Sequence, residues 1–284
     1  MRRLSVNGVT TCGLSYFEDM QHFSRLGISS IGIWRQKIET DTDDRPLDYK
    51  IVATDLEANN MTASSLSWAG GFTGSCGKTY CDSVDDARDA IYDAYMIGAE
   101  CLIINPGGQN GHTNRHARNN LSKAIESLLP IATDLGIRLA IEPVTTKLNP
   151  WSFLGDFQSH LDFVRSFNNA NLGLVLDLYH VGTDLRLLRS LAEIKKEIAL
   201  VQLSDIAGRR SGERGVNGNR RCLLGDGIVP IHSWVNNLTD IGYDGAFEVE
   251  VHGELLTNVS PWRRLNHTCQ YLRAIPVAAQ LLRT

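Results

Sequence analysis

Short apolar runs alternate along the whole chain with longer stretches whose apolar positions recur every three or four residues. The short runs have the length and β-branched content of strands, and the longer ones have the period of helices with one buried face. Val6 to Thr11 opens as a strand, and Ser15 to Leu26 follows as a helix with Phe17, Met20 and Phe23 on one face and Gly27 as its stop. Ser30 to Trp34 is a second strand, Tyr49 to Asn59 a helix, and Met61 to Trp68 a third strand. A helix over Val84 to Ile97 leads into a strand over Cys101 to Ile104. The helix over Leu121 to Leu135 contains Pro130, which should kink or split it. Strands then follow at Arg138 to Ile141, Leu174 to Leu176, Ile198 to Leu203 and Ala246 to Val251. Helical stretches over Asp156 to Phe167, Thr183 to Ile194 and Pro230 to Ile241 separate them, and a last helix spans Trp262 to Leu272. Eight strands with intervening helices, and no linker or repeat, predict one (β/α)8 TIM barrel over residues 1–284.

The chemistry lies where the late apolar runs end. Leu174-Val175-Leu176 reads as a strand buried on both faces, and it releases Asp177, then His180 and Gly182. An unpaired charge is too costly inside such a strand, so Asp177 belongs at its C-terminal end, where parallel α/β folds build their sites. Glu142 follows Leu139-Ala140-Ile141, Gln202 interrupts Leu200-Val201-Gln202-Leu203, and Glu250 lies in Phe247-Glu248-Val249-Glu250-Val251. Four consecutive strands therefore each deliver one oxygen donor to the same rim. Three converging carboxylates repel one another unless a cation joins them. Glu142, Asp177, Gln202 and Glu250 form an oxygen-only ligand set, which suits Mn2+ or Mg2+ better than zinc. Glu248 alternates onto the same face as Glu250 and lies deeper, either behind the ligands or in the barrel interior. Trp34 and Trp68 end strands two and three, where they either wall a sugar pocket or pack the rim.

Composition narrows the picture. The 284 residues carry a net charge of −4, which argues against nucleic acid and anionic membranes as partners. The six cysteines are scattered and form no C-x-x-C pair, as expected of reduced thiols in a cytoplasmic protein. No apolar run approaches the roughly 18 residues of a membrane span, and nothing before Ser5 resembles a signal segment.

Taken in order, five stretches resemble the sugar isomerase/epimerase superfamily with a xylose isomerase-like barrel. They are Ala140-Ile141-Glu142-Pro143, Leu174 to Gly182, Leu200 to Asp205, Arg221-Cys222-Leu223-Leu224-Gly225-Asp226-Gly227, and Gly242-Tyr243-Asp244-Gly245 followed by Glu250. The superfamily contains inosose isomerases, ketose 3-epimerases, hydroxypyruvate isomerases and endonuclease IV. The resemblance implies a metal on Glu142, Asp177, Gln202 and Glu250, with Glu142 and Glu250 as the acid/base pair. It also implies substrate contacts from His180 and Arg221, and it makes a homodimer a further expectation. Most epimerases carry a histidine where this chain has Gln202. Glutamine there resembles the 3-dehydroshikimate dehydratase branch, and Thr145 stands where a glycoside-cleaving branch often has histidine.

The expected function is a divalent-metal-dependent isomerase or epimerase of a sugar or polyol ketone, which removes an α-proton and stabilises the resulting enediolate on the metal. A metal-dependent lyase or dehydratase on the same barrel is the alternative. A zinc phosphodiesterase of the endonuclease IV kind would need more histidine ligands and a basic groove. A barrel that only senses sugars is the remaining reading outside catalysis.

Overall fold

The computed structural model of the protein describes residues 3–40, 46–144, 152–208 and 220–276. Strands β1 (Arg3–Asn7), β2 (Ser30–Trp34), β3 (Thr62–Gly70), β4 (Cys101–Asn105), β5 (Arg138–Ile141), β6 (Leu172–Asp177) and β7 (Ile198–Leu203) succeed one another around a barrel. A two-residue antiparallel pair, β8 (Asp205–Ile206) and β9 (Arg221–Cys222), stands outside it. Strand β10 (Ala246–Val249) then lies parallel between β7 and β1 and closes the ring of eight. Because every barrel strand is parallel, all their C-terminal ends open on one rim.

Alternation along the strands sends one set of side chains outward against the helices and the other inward. The outward set builds the main core, with Leu4, Ile31, Leu66, Leu102, Leu139, Leu174, Val201 and Phe247 packed against helical residues such as Phe23, Ile91, Leu128 and Trp234. The inward set is split. Cys101, Ile103, Ala140, Val175, Leu200 and Ala246 form a small apolar cluster of their own. The side of β1 to β3 instead contributes buried Ser5, Asn7, Ser64 and Ser65 around a buried Glu248.

The predicted elements need several corrections, each with a local cause. The first strand ends at Asn7 rather than continuing to Thr11. Asn7 Oδ1 accepts the Val9 N–H at 3.0 Å and turns the chain into a 3-10 segment over Gly8–Thr11. The helix expected at Val84 starts at Tyr80, where Thr79 and Asp82 form a reciprocal capping box. Pro130 does not break its helix, which runs unbroken from Asn114 to Asp134. The proline is exposed there, so the backbone carbonyl that loses its partner can turn to water. The single helical stretch expected over Thr183 to Ile194 is two short helices, Leu185–Arg189 and Leu191–Ile194. Asp184 caps the first by accepting the Arg186 and Leu187 N–H groups. Phe17, expected beside Met20 and Phe23 on the buried face, is 38% exposed. All six cysteines are free. Among the described residues, no helix is long and apolar enough to cross a membrane.

One glycine near the rim is sterically required. Gly70 ends β3 at φ +134°, opposite Asn105, and a Cβ there would lie 2.0 Å from the Asn105 carbonyl oxygen. Gly70→Ala should therefore cost about 2 kcal/mol or more in urea denaturation, the sum of backbone strain and a contact that only main-chain movement relieves.

Candidate functional site

The rim opens into a cavity of about 730 Å³ whose lining includes Asn7, Trp34, Trp68, Glu142, His180, Gln202, Arg221, Glu250 and His252. Asp177 is buried beside it, within reach of the lining residues Glu142 and His180. The residues singled out in the sequence therefore converge on one place, although their strands are far apart in the chain.

Each is delivered by a strand end. Glu142 follows β5 directly, Asp177 is the last residue of β6, and Gln202 lies beside it in register on β7. Strand β10 stops at Val249, two residues short of the predicted Val251. The Glu250 N–H nevertheless bonds the Leu203 carbonyl at 3.0 Å and continues the ladder. Asp177 also caps a short helix, with Oδ1 accepting the Tyr179 N–H at 2.9 Å, which leaves Oδ2 to pair with Arg221. That helix, Leu178–Val181, carries His180 back over the floor.

Arg221 arrives from outside the barrel. Asp205 builds its platform, since the Asp205 carboxylate accepts the N–H groups of Ile206, Gly225, Gly227 and Val229 at 2.8 to 3.0 Å. Gly227 is needed for this, because a Cβ there would lie 2.1 Å from Asp205 Oδ1. The wrapped turn pairs Arg221 with Ile206 and aims its guanidinium inward, 4.3 Å over the Tyr179 ring. Its NH2 group is ion-paired with Asp177 Oδ2 and lies 3.5 Å from Glu250 Oε1. Arg221 is only 5% exposed, so it is a buried member of the site rather than a surface charge.

The electrostatics follow from one guanidinium among three buried carboxyls. Burial, followed by the Glu250 and Asp177 carboxylates, pushes Glu142 up to about 8, with Arg221 opposing. Asp177 is raised to about 6 by burial, again against Arg221. Burial would also raise Glu250, but Arg221 and a 2.9 Å contact with His252 Nε2 outweigh it and hold the carboxyl down at about 2. His180 is pushed down to about 3 by burial and by Arg221, so its imidazole is neutral near pH 7.

The donor set fits a divalent cation on two counts. Three carboxyls face one guanidinium, and after burial the neighbouring Glu250 and Asp177 carboxylates raise Glu142 further. In addition, Gln202 Oε1 and His180 Nδ1 are buried polar atoms with no hydrogen-bond partner among the described residues. Ligand atoms of Glu142, Asp177 and His180 all lie within 4.8 Å of one another. His180 thus stands as close to a cation position as the carboxylates do, whereas Glu250 turns Oε1 toward Arg221 and His252.

Sequence reading missed His252 and Asn7. The alternation Glu248, Glu250, His252 was the available signal, since a period of two puts all three on one strand face. Thr145 lies outside the described residues.

The Glu142 value carries a pH dependence. Above the ordinary carboxyl range near 4.3 and up to about 8, the folded metal-free protein keeps a proton that the unfolded chain has lost, so this group's contribution to stability falls as pH rises. Glu142→Gln should flatten the decline measured by chemical denaturation with chelator between pH 5 and pH 8, and should be the more stable protein at pH 8. An unchanged slope would remove Glu142 as its source.

The fold has many solved counterparts. Protein SMc04130 from Sinorhizobium meliloti 1021 matches with a TM-score of 0.78 at 22% identity, covering 96% of this chain and 98% of that one. An IOLI protein with a binding zinc atom matches with a TM-score of 0.81 at 17% identity, over 98% and 99% of the two chains. An L-ribulose 3-epimerase matches with a TM-score of 0.75 at 16% identity, over 100% and 96%. Among curated sequences, the uncharacterized protein MJ1311 of Methanocaldococcus jannaschii is 24% identical over 176 residues, which are 59% of this chain. That match spans 56% of MJ1311, little more than half its length. The family model described as xylose isomerase-like TIM barrel matches residues 20–275, and this chain belongs to that family.

Proposed function

We propose that the protein is a divalent-metal-dependent isomerase or epimerase of a sugar or polyol ketone, working by abstraction of an α-proton. The observation that carries this reading is the under-neutralised carboxyl cluster at the barrel rim, with the Gln202 oxygen unpartnered beside it. Glu142, Asp177, Gln202 and Glu250 would hold the cation, and its chemistry would be to stabilise negative charge developing on the substrate oxygens. That an L-ribulose 3-epimerase and a zinc-binding IOLI protein share the fold agrees with this assignment.

The chain's own residues supply the rest. Without the cation Glu142 has the highest proton affinity of the three carboxyls, and with Glu250 it would form the acid/base pair. Glu250 stays ionised against Arg221 and His252, and can attract and return a proton across the substrate from Glu142. The neutral imidazole of His180 and the guanidinium of Arg221 direct donors at substrate hydroxyls. Trp34 and Trp68 offer apolar faces on which a sugar ring can lie.

Gln202 keeps a second reading in play. A neutral amide donates an oxygen but shuttles no proton, and glutamine at this place resembles the dehydratase branch, so elimination after the same proton abstraction is the alternative. Both readings are tested with Mn2+-loaded protein in D2O, using proton NMR against ketoses, inososes, 3-keto-glycosides and 3-dehydroshikimate. Loss of one α-proton signal with an isomeric product is expected. Loss of water or of an aglycone would move the protein to the lyases, and no exchange on any substrate with metal bound would overturn the proposal. Glu142→Gln should slow exchange by about 10²- to 10⁴-fold if the protein is an enzyme, and should leave ligand binding largely intact if the barrel only senses sugars.

A further inference from the structure

Glu248 has no place in the chemistry proposed above, yet several strands are shaped around it. It sits two residues before Glu250 on β10 and is completely buried, at a depth where barrels are ordinarily filled with Val, Ile and Leu. Its carboxylate is fully engaged. Oε1 accepts from Asn7 Nδ2 at 2.7 Å and from Gln202 Nε2 at 3.0 Å. Oε2 accepts from the hydroxyls of Ser64 and Ser65, each at 2.7 Å. Ser5 bonds Ser64 behind them at 2.6 Å. Gly32 makes the room, since a Cβ there would lie 2.4 Å from Glu248 Oε2. Strands β1, β2 and β3 thus give up interior apolar volume to seat one carboxyl group, which packing alone would not require.

The consequence falls on Gln202. A carboxamide has a donor end and an acceptor end, and the two have nearly the same shape. A carboxylate only accepts. With Glu248 beside it, Gln202 must turn its NH2 group toward that carboxylate, and its oxygen is the end left over. That oxygen is buried and has no hydrogen-bond partner among the described residues, in a side chain that lines the cavity. Asn7 is oriented the same way, with its NH2 on Glu248 and its oxygen on the Val9 N–H.

We infer that Glu248 is a positioning residue whose carboxylate locks the Gln202 amide with its carbonyl oxygen toward the cation site. What that oxygen binds rests on the metal-dependent reading above. Its orientation does not.

Three measurements separate the two. Protein labelled with 15N-glutamine should show a slowly exchanging side-chain NH2 pair, assigned to Gln202 by its disappearance in Gln202→Leu. Glu248→Gln should keep that pair, because its own oxygen can replace Oε1 while its NH2 faces the serine hydroxyls, which can rotate to accept. Glu248→Met removes the acceptor, and the pair should lose its protection. Mn2+ titrated by EPR should bind about 10- to 100-fold more weakly to Glu248→Met and within about 3-fold of wild type to Glu248→Gln, the span expected when a ligand loses its orienting partner. Protection of Gln202 that survives in Glu248→Met, or equal Mn2+ affinity in a folded Glu248→Met, would overturn the inference. Should Glu248→Met fail to fold, the exchange of partners decides. Gln202→Glu alone sets two buried carboxylates face to face and should lower the urea midpoint of the metal-free protein, whereas Gln202→Glu with Glu248→Gln restores a donor–acceptor pair and should recover it. Equal stability of the single and double variants would count against the inference. A wild-type protein with the protected NH2 pair but no Mn2+ affinity would remove the metal reading and leave the orientation standing.

Discussion

The ion pair between Arg221 and Asp177 is the contact on which the rest of the site depends. Two charges with almost no access to water are tolerated only when each satisfies the other, and removal of either leaves a cost of about 3–5 kcal/mol. Arg221 is therefore held from every side: by the Tyr179 ring beneath the guanidinium, by Glu250, and by a turn wrapped around Asp205. One fixed positive charge beside three carboxyls then separates their proton affinities. Glu250, which also holds His252, stays ionised, while Glu142 retains a proton into the neutral range. A site in which neighbouring carboxyls differ this much is equipped to move protons, and the shortfall in positive charge makes it receptive to a cation.

The barrel supports this arrangement unevenly. Behind Glu142 and Asp177 the interior is apolar, with Ala140, Val175 and Leu200 packed together. Beside Gln202 and behind Glu250 it is polar, organised by Glu248 and the serines of β1 and β3. The apolar half excludes water and strengthens the charges above it. The polar half orients an amide that has no charge of its own to orient it. The two halves meet at Gln202, which lies in register with Asp177 on one side and with Glu248 on the other.

Much of this was legible in the residues, because strand ends and buried strands leave strong marks. An aliphatic run that suddenly yields Asp or Glu has few physical interpretations, so the chain itself places Glu142 and Asp177 on the rim. Gln202 and Glu250 followed from the same pattern. Helix boundaries were less readable wherever a polar side chain competed with the backbone, as Asn7 does after β1 and Asp184 before Leu185. Pro130 misled because its effect depends on which side of the helix meets solvent, a property that a proline in a sequence does not carry.

What the sequence by itself determined was the alternation of strands and helices, the family, and the set of oxygen donors, all of which rest on periodicity and on neighbours close in the chain. What only the tertiary structure decided was which groups are paired. Arg221 and Asp177 are 44 residues apart, and Asn7 and Glu248 are 241 apart. Their contacts exist because the barrel closes β10 onto β1 and folds the Arg221 turn back over the rim. The proton affinity of a carboxyl depends on burial and on charges a few ångströms away, and closure of the barrel sets both.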